Sequence, residues 1–384
     1  MKDKNISSFQ APVYAALALA FASFGDAFLY PYLPLFGEHL GISVAWIGIL
    51  LSINRFARIF TNAIIARACA IFGFRVLTVC AVIMAIASTV GYGLTSGIAV
   101  WVVCRICWGL CYSVLRISAL AYALDHERQG FSLGISKAVQ EAGPMVTLMV
   151  APPLLFQLDT KVIFFILAAA SLPGLYFAFH LPAKFSTTTP FSFTKFAKIP
   201  SAFNMLTFAS AIVVEGILVV TLGVLFLKYN TTMSILAASI LAAAYLGYRR
   251  ICMIAFSPFG GWIADKVGLE KVFVFSFAML LSGLIFISSG WIEAGASIVF
   301  AFYSILSALT PGAASVKGRH SLEAVSENAT WRDVGAALGT LTGGFLLESA
   351  FIGFLLLGGT LVIGVIFLYY IDVTKRFKFL ATWK

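Results

Sequence analysis

The sequence predicts an all-α membrane protein with twelve transmembrane helices in two pseudo-symmetric halves of six. Three observations carry that prediction. Of 384 residues, 61% are hydrophobic and only 11% are charged, whereas soluble chains carry roughly 25% charged residues. Apolar stretches of about 20 residues recur from end to end, each long enough to cross a bilayer as a helix. Lys and Arg are distributed very unevenly between alternate connections. A β-barrel is excluded, because period-2 alternation is absent and the apolar runs are about twice the length a barrel strand needs.

Taken in order, breaks at Gly, Pro and charge clusters set the spans at 12–36, 44–66, 76–96, 98–124, 131–157, 161–181, 203–228, 234–264, 271–289, 293–316, 329–347 and 350–372. The opening MKDKNISSFQ is polar and no A-x-A-like cleavage pattern follows it. The apolar run behind it is too long for a signal segment, so a cytoplasmic tail and a retained first helix are expected. The longest connection, 182–202, is basic and Phe-rich. It separates an N-terminal bundle, 1–181, from a C-terminal bundle, 203–384, and its composition suits the anionic inner leaflet.

An even number of spans puts both termini on one face. With the termini inside, sixteen Lys and Arg flank the spans on the inner face against two, Lys161 and Lys228, on the outer. That is the positive-inside pattern of a multi-pass protein, here of a bacterial inner membrane. The net charge of +10 therefore reports topology, and nucleic acid is not an expected partner. All six cysteines lie in or beside spans, so no disulfide framework is expected. The trio Cys104, Cys107 and Cys111 shares a helix face without His or carboxylate, which suits packing better than metal. No metal or other cofactor is expected. Asn5, Asn230 and Asn328 head N-x-S/T triplets.

The halves resemble each other. Asp26 aligns with Glu215 at a shift of 189; Arg55 then falls on Arg250 and Gly73 on Gly268 at a shift of 195; Gly143 falls on Gly339. Parallel repeats with a site between them are a transporter architecture.

The motifs resemble the major facilitator superfamily over the whole chain. Between spans eight and nine, GGWIADKVGLEK is similar to the family's gating motif, G-x-x-x-D-x-x-G followed by a basic residue, on Gly261, Asp265, Gly268 and Lys271. The resemblance implies a latch between halves, where an aspartate at a helix end caps its neighbour. Between spans two and three, ARACAIFGFR keeps Gly73 and Arg75 but has Ala66 and Ala70 in place of the motif's glycine and aspartate. In span four, RICWG is similar to R-x-x-Q-G with Trp108 for glutamine, which implies a part for Arg105 in proton coupling. In span five, EAGPM matches the Gly-Pro core of the antiporter motif at Gly143 and Pro144, which implies antiport. No subfamily is assigned.

Twelve charges fall within the spans: Arg55, Arg58, Arg105, Arg116, Lys137, Arg249, Arg250 and Arg332 against Asp26, Glu141, Glu215 and Asp333. Each costs roughly 2.5–3.5 kcal/mol at a helix centre, so they must face a cavity or one another. Arg58, Arg249 and Arg332 are read as lying near span ends, where structural pairing or snorkelling suffices. The family fold lines its cavity with spans one, two, four and five and their counterparts, and all twelve charges fall on that set.

At about 100° per residue, Arg105, Tyr112 and Arg116 share a face, flanked by Trp108. Lys137, Glu141 and Pro144 share another, beside Gln140, and Tyr30 stands one turn from Asp26. Tyr30, Arg55, Arg105, Trp108, Tyr112, Arg116, Lys137, Gln140, Arg250 and Asp333 are the candidate substrate contacts. Asp26, Glu141 and Glu215 are the candidate proton-coupling groups, with Asp26 preferred because Glu215 shows no obvious aromatic or basic partner.

The charge tally of 8 − 4 = +4, with arginines that cannot be neutralised, favours a small organic anion or amphipathic metabolite. The expected mechanism is rocker-switch exchange driven by the proton gradient, in a monomer whose partners are its substrate, protons and membrane lipids. Export by antiport is slightly preferred. Import of a carboxylate-rich nutrient or metal chelate by proton symport is the alternative, with drug or lipid export behind it. An enzyme is excluded: the four histidines lie at span ends, and no H-E-x-x-H, G-x-S-x-G or phosphate loop appears.

Overall fold

A computed structural model describes residues 10–94, 97–124, 129–183, 201–230, 232–316, 321–345, 347 and 352–381. Joined at their breaks, the described helices form α1 (Gln10–Phe36), α2 (Val44–Phe72), α3 (Phe74–Leu94), α4 (Ile98–Leu124), α5 (Gln129–Leu154) and α6 (Thr160–Phe179), then α7 (Ala202–Tyr229), α8 (Ile235–Val267), α9 (Leu269–Ser288), α10 (Ile292–Val316), α11 (Ser321–Phe345) and α12 (Ile352–Ala381). No strand occurs among the described residues. Eight segments, within α1–α4 and α6–α9, are long and apolar enough to cross a membrane. Shorter apolar stretches lie in α10 (Ile292–Ser307) and α12 (Leu356–Asp372). α5 and α11 fall below that threshold because they carry cavity charges, and α5 also holds Pro144, Pro152 and Pro153.

Helix ends differ from the predicted spans where polarity and helicity part company. α11 begins eight residues before the predicted 329, through SLEAVSEN, and α2 runs six residues past 66. Polar side chains mark where the hydrocarbon stops, not where backbone hydrogen bonding stops. Asn328 is buried and donates to Asn204 Oδ1 at 3.0 Å and Thr207 Oγ1 at 2.9 Å, tying α11 to α7. That burial leaves no room for a glycan there. The predicted inner-leaflet loop 184–200 lies outside the described residues.

The halves have matching contact patterns. α1 packs on α5 as α7 packs on α11; α2 on α4 as α8 on α10; α3 on α4 as α9 on α10. The aligned glycines explain two of these matches. A Cβ on Gly143 would run into the Ala20 backbone of α1, and one on Gly339 into the Ile212 backbone of α7. Gly73 (φ 85°) ends α2 and Gly268 (φ 102°) ends α8, each in the left-handed region that glycine tolerates. Gly339→Val is expected to lower the thermal midpoint of detergent-purified protein by several degrees, an overpacking cost of about 1–3 kcal/mol. Gly358→Val, on α12 with open space around it, should leave the midpoint in place.

Between halves, α2 meets α11, α5 meets α8, and α1 meets α7 and α8. These seams share one end, that of connections 37–43 and 230–234. There a Cβ on Gly48 would sit 2.7 Å from the Leu341 carbonyl and 3.0 Å from Gly344 Cα, and one on Gly223 2.8 Å from Leu35. Ser239 Oγ donates to the Pro31 carbonyl at 3.1 Å. Apolar cores also cross here: Leu148 joins the C-terminal cluster, and Val220 and Leu347 the N-terminal one. Towards the opposite end solvent enters. Exposure rises from 0% at Arg105 to 38% at Arg116 on α4, and from 5% at Glu141 to 55% at Lys137 on α5. The protein is closed at one end and open at the end where α1 begins and α12 finishes.

Candidate functional site

A cavity of about 160 Å³ lies between the halves, walled by α1, α2, α4, α5, α7, α8 and α11. Eleven of the twelve intramembrane charges line it, together with Tyr30, Trp108, Tyr112, Gln140 and Pro144. The hydrocarbon penalty on each charge is met by turning it to this shared space.

Arg105 is the exception. Its guanidinium is fully buried behind the cavity wall and donates to the Asp26 carboxylate. It also donates to the carbonyls of Leu50 at 2.7 Å and Leu51 at 3.4 Å, so one side chain clamps α4, α1 and α2. Asp26 itself faces the cavity. Of the expected Arg–Tyr–Arg stripe, Tyr112 and Arg116 reach the cavity and Arg105 does not.

Across the cavity, three polar contacts bridge the halves among the described residues. Arg250 of α8 pairs with Glu141 of α5, whose second oxygen takes Lys137 Nζ at 2.6 Å. Arg116 of α4 reaches Asp333 of α11 at 3.3 Å, beside Arg332 at 3.6 Å. Arg55 of α2 donates from both terminal nitrogens to the Glu215 carbonyl, at 3.3 and 3.4 Å. Glu215 stands in a π-helical segment of α7, Ala211–Leu218, a backbone irregularity concentrated at functional sites.

Glu215 corrects one expectation. It does have partners: Tyr303 of α10 donates to its Oε1 at 2.8 Å, and Arg249 of α8 lies 3.7 Å away. Both belong to other helices, so a local reading of α7 could not find them. The preference for Asp26 over Glu215 loses its ground, and the cation facing Asp26 is Arg105.

Aromatic rings flank the basic groups. Tyr30 stands between the guanidiniums of Arg55 (5.9 Å) and Arg105 (6.0 Å), and Arg58 lies over Tyr112 at 4.6 Å. Trp108 meets Tyr112 edge-on at 5.9 Å. Gln140 bonds Ser136 at 3.0 Å. Sequence reading left out Arg58, Arg249 and Arg332 as near-end arginines; all three line the cavity. Spacing was the available signal, since Arg58 is one turn from Arg55, and Arg249 and Arg332 adjoin Arg250 and Asp333.

Of the gating-motif residues, Gly268 ends α8 and Lys271 is exposed on α9. Gly261 lies within α8, and the side chains of Asp265, Ala66 and Ala70 lie outside the described residues. Gly143 earns its place by the α1 crossing, and no group of His, Cys, Asp and Glu able to hold a metal occurs among the described residues.

Compared with known families, residues 15–206 match the family model described as Major Facilitator Superfamily. The chain belongs to the major facilitator superfamily. Solved structures of this fold cover nearly all of it. A crystal structure of a D-xylose-proton symporter aligns with a TM-score of 0.75 at 12% identity, over 94% of this chain and 96% of that one. The nucleoside transporter NupG aligns at 0.69 and 13%, over 94% and 99%. Such identities establish the fold alone. No curated protein matches the sequence. This superfamily member is an integral membrane protein and a secondary transporter, not an enzyme.

Proposed function

We propose that the protein carries a small organic anion together with protons, by rocking residues 1–181 against 203–384 about the 182–202 linker, with all twelve helices crossing the membrane. The observation that carries the anion is the lining charge. Seven basic side chains face the cavity against four carboxylates, 7 − 4 = +3, and arginine cannot discharge. A cavity of about 160 Å³ is smaller than the roughly 300–1,000 Å³ of drug-sized ligand pockets, which weighs against lipid or drug export. With the termini inside, as the Lys and Arg distribution directs, the cavity opens to the cytoplasm of a bacterial inner membrane.

The ion pairs favour symport over the antiport implied by the Gly-Pro match. An anion held in the cavity repels Glu141 and Asp333 and draws Arg250, Lys137 and Arg116 away from them. A carboxylate stripped of its cation in a low-dielectric cavity is stabilised by a proton instead. Anion and proton then bind together and each strengthens the other, as linkage requires. Antiport needs the opposite sign. Gly143 has a sufficient reason in packing, and the cross-half contacts, once loosened, free the halves to rock.

Proteoliposomes test this. Anion accumulation should follow an imposed proton gradient and stop when a protonophore collapses it. Glu141→Gln, a permanent mimic of the protonated acid, should exchange anion between the two faces yet lose at least tenfold in accumulation. Accumulation undiminished in Glu141→Gln removes Glu141 from coupling. Accumulation indifferent to the protonophore removes the proton.

A further inference from the structure

Among the cavity's cations, Lys137, Arg116, Arg249, Arg250 and Arg332 each meet one of three carboxylates, Glu141, Asp333 and Glu215. Arg55 and Arg58 have no ion-pair partner among the described residues. Arg55 spends its fork on a neutral backbone carbonyl. Arg58 lies on the Tyr112 ring, and its Nε finds no acceptor. The two are three residues apart on α2, so their Cβ atoms stand about 5–6 Å apart on one face. Both face the cavity.

Resting on the anion reading, we infer that the substrate carries at least two anionic groups, carboxylate or phosphate, held side by side by Arg55 and Arg58. One monoanion answers one guanidinium and leaves the other in the low-dielectric cavity without an ion-paired carboxylate, a costly state for a charge. A dianion of two to four carbons' reach answers both. Each group offers the paired oxygens that a guanidinium fork binds bidentately. Tyr30 and Tyr112 keep the two forks in place from either side.

The test measures thermal stabilisation and binding by calorimetry of the purified full chain at fixed ionic strength. The probes are acetate, succinate, tricarballylate, glycerol phosphate and the uncharged dimethyl ester of succinate. Succinate, tricarballylate or glycerol phosphate should bind at least tenfold more tightly than acetate, and the ester should not bind. Which of them leads separates carboxylate from phosphate. Arg58→Gln should reduce the preferred dianion to the acetate level, and Arg58→Lys should restore part of the preference. The ligand-free midpoint of each variant reports whether it has folded. Equal binding of acetate and the dianions overturns the inference while the anion reading stands. Binding of the ester with none of the anions overturns both.

Discussion

Replacing Arg105 with methionine is expected to leave little folded protein. The guanidinium is fully buried and holds Asp26 of α1 and two α2 carbonyls from α4. Methionine is close in reach but carries no charge and no donor, so the Asp26 carboxylate and the two α2 carbonyls lose their partner. Removing one member of a buried pair costs about 3–5 kcal/mol, a large part of a typical total stability of roughly 5–15 kcal/mol. Size-exclusion yield and thermal midpoint in detergent should both fall sharply. Asp26→Asn added to Arg105→Met should recover much of the loss, because no uncompensated charge then remains. A single Arg105→Met variant of full yield and unchanged midpoint would show that the clamp is dispensable. The outcome bears on role as well as stability: Arg105 positions Asp26 and does not itself meet the cavity.

A valine at Gly344 is expected to fold and yet to stall transport. Gly344 and Gly48 bring α11 and α2 into backbone contact at the closed end. When that end opens, the contact separates, so a side chain there burdens only one of the two states. An overpacking cost of about 1–3 kcal/mol falls on the state closed at that end and shifts the balance between states roughly 5–150-fold. Transport should drop by a comparable factor. An impermeant maleimide applied from outside should label Ala27→Cys, a buried cavity position, faster in the Gly344→Val background. Unchanged labelling and transport would mean that the glycine seam does not gate.

Much of the site was legible because hydrocarbon leaves charges few places to go. Twelve intramembrane charges on seven helices had to converge, and eleven do. The repeat was legible for a related reason: glycines at 73 and 268, and at 143 and 339, answer backbone demands that recur in both halves. Pairing was less accessible. Which carboxylate faces which arginine depends on helix rotation and on contacts as distant in sequence as Arg116 with Asp333 or Tyr303 with Glu215. Arg58, Arg249 and Arg332 were discounted by their distance from a span centre. Yet a cavity open at one end carries its water nearly to the helix termini, so the face of the helix, not the depth, decides. Helical spacing from Arg55 would have placed Arg58 correctly.

The sign of proton linkage on anion binding tests the account most directly. Purified protein in weakly buffered detergent solution, with a pH-indicator dye, reports it when succinate or tricarballylate is added. The account predicts proton uptake from solution on binding, reduced by at least half in Glu141→Gln. Proton release on binding would mean that anion and proton exclude each other, and would contradict symport through these ion pairs.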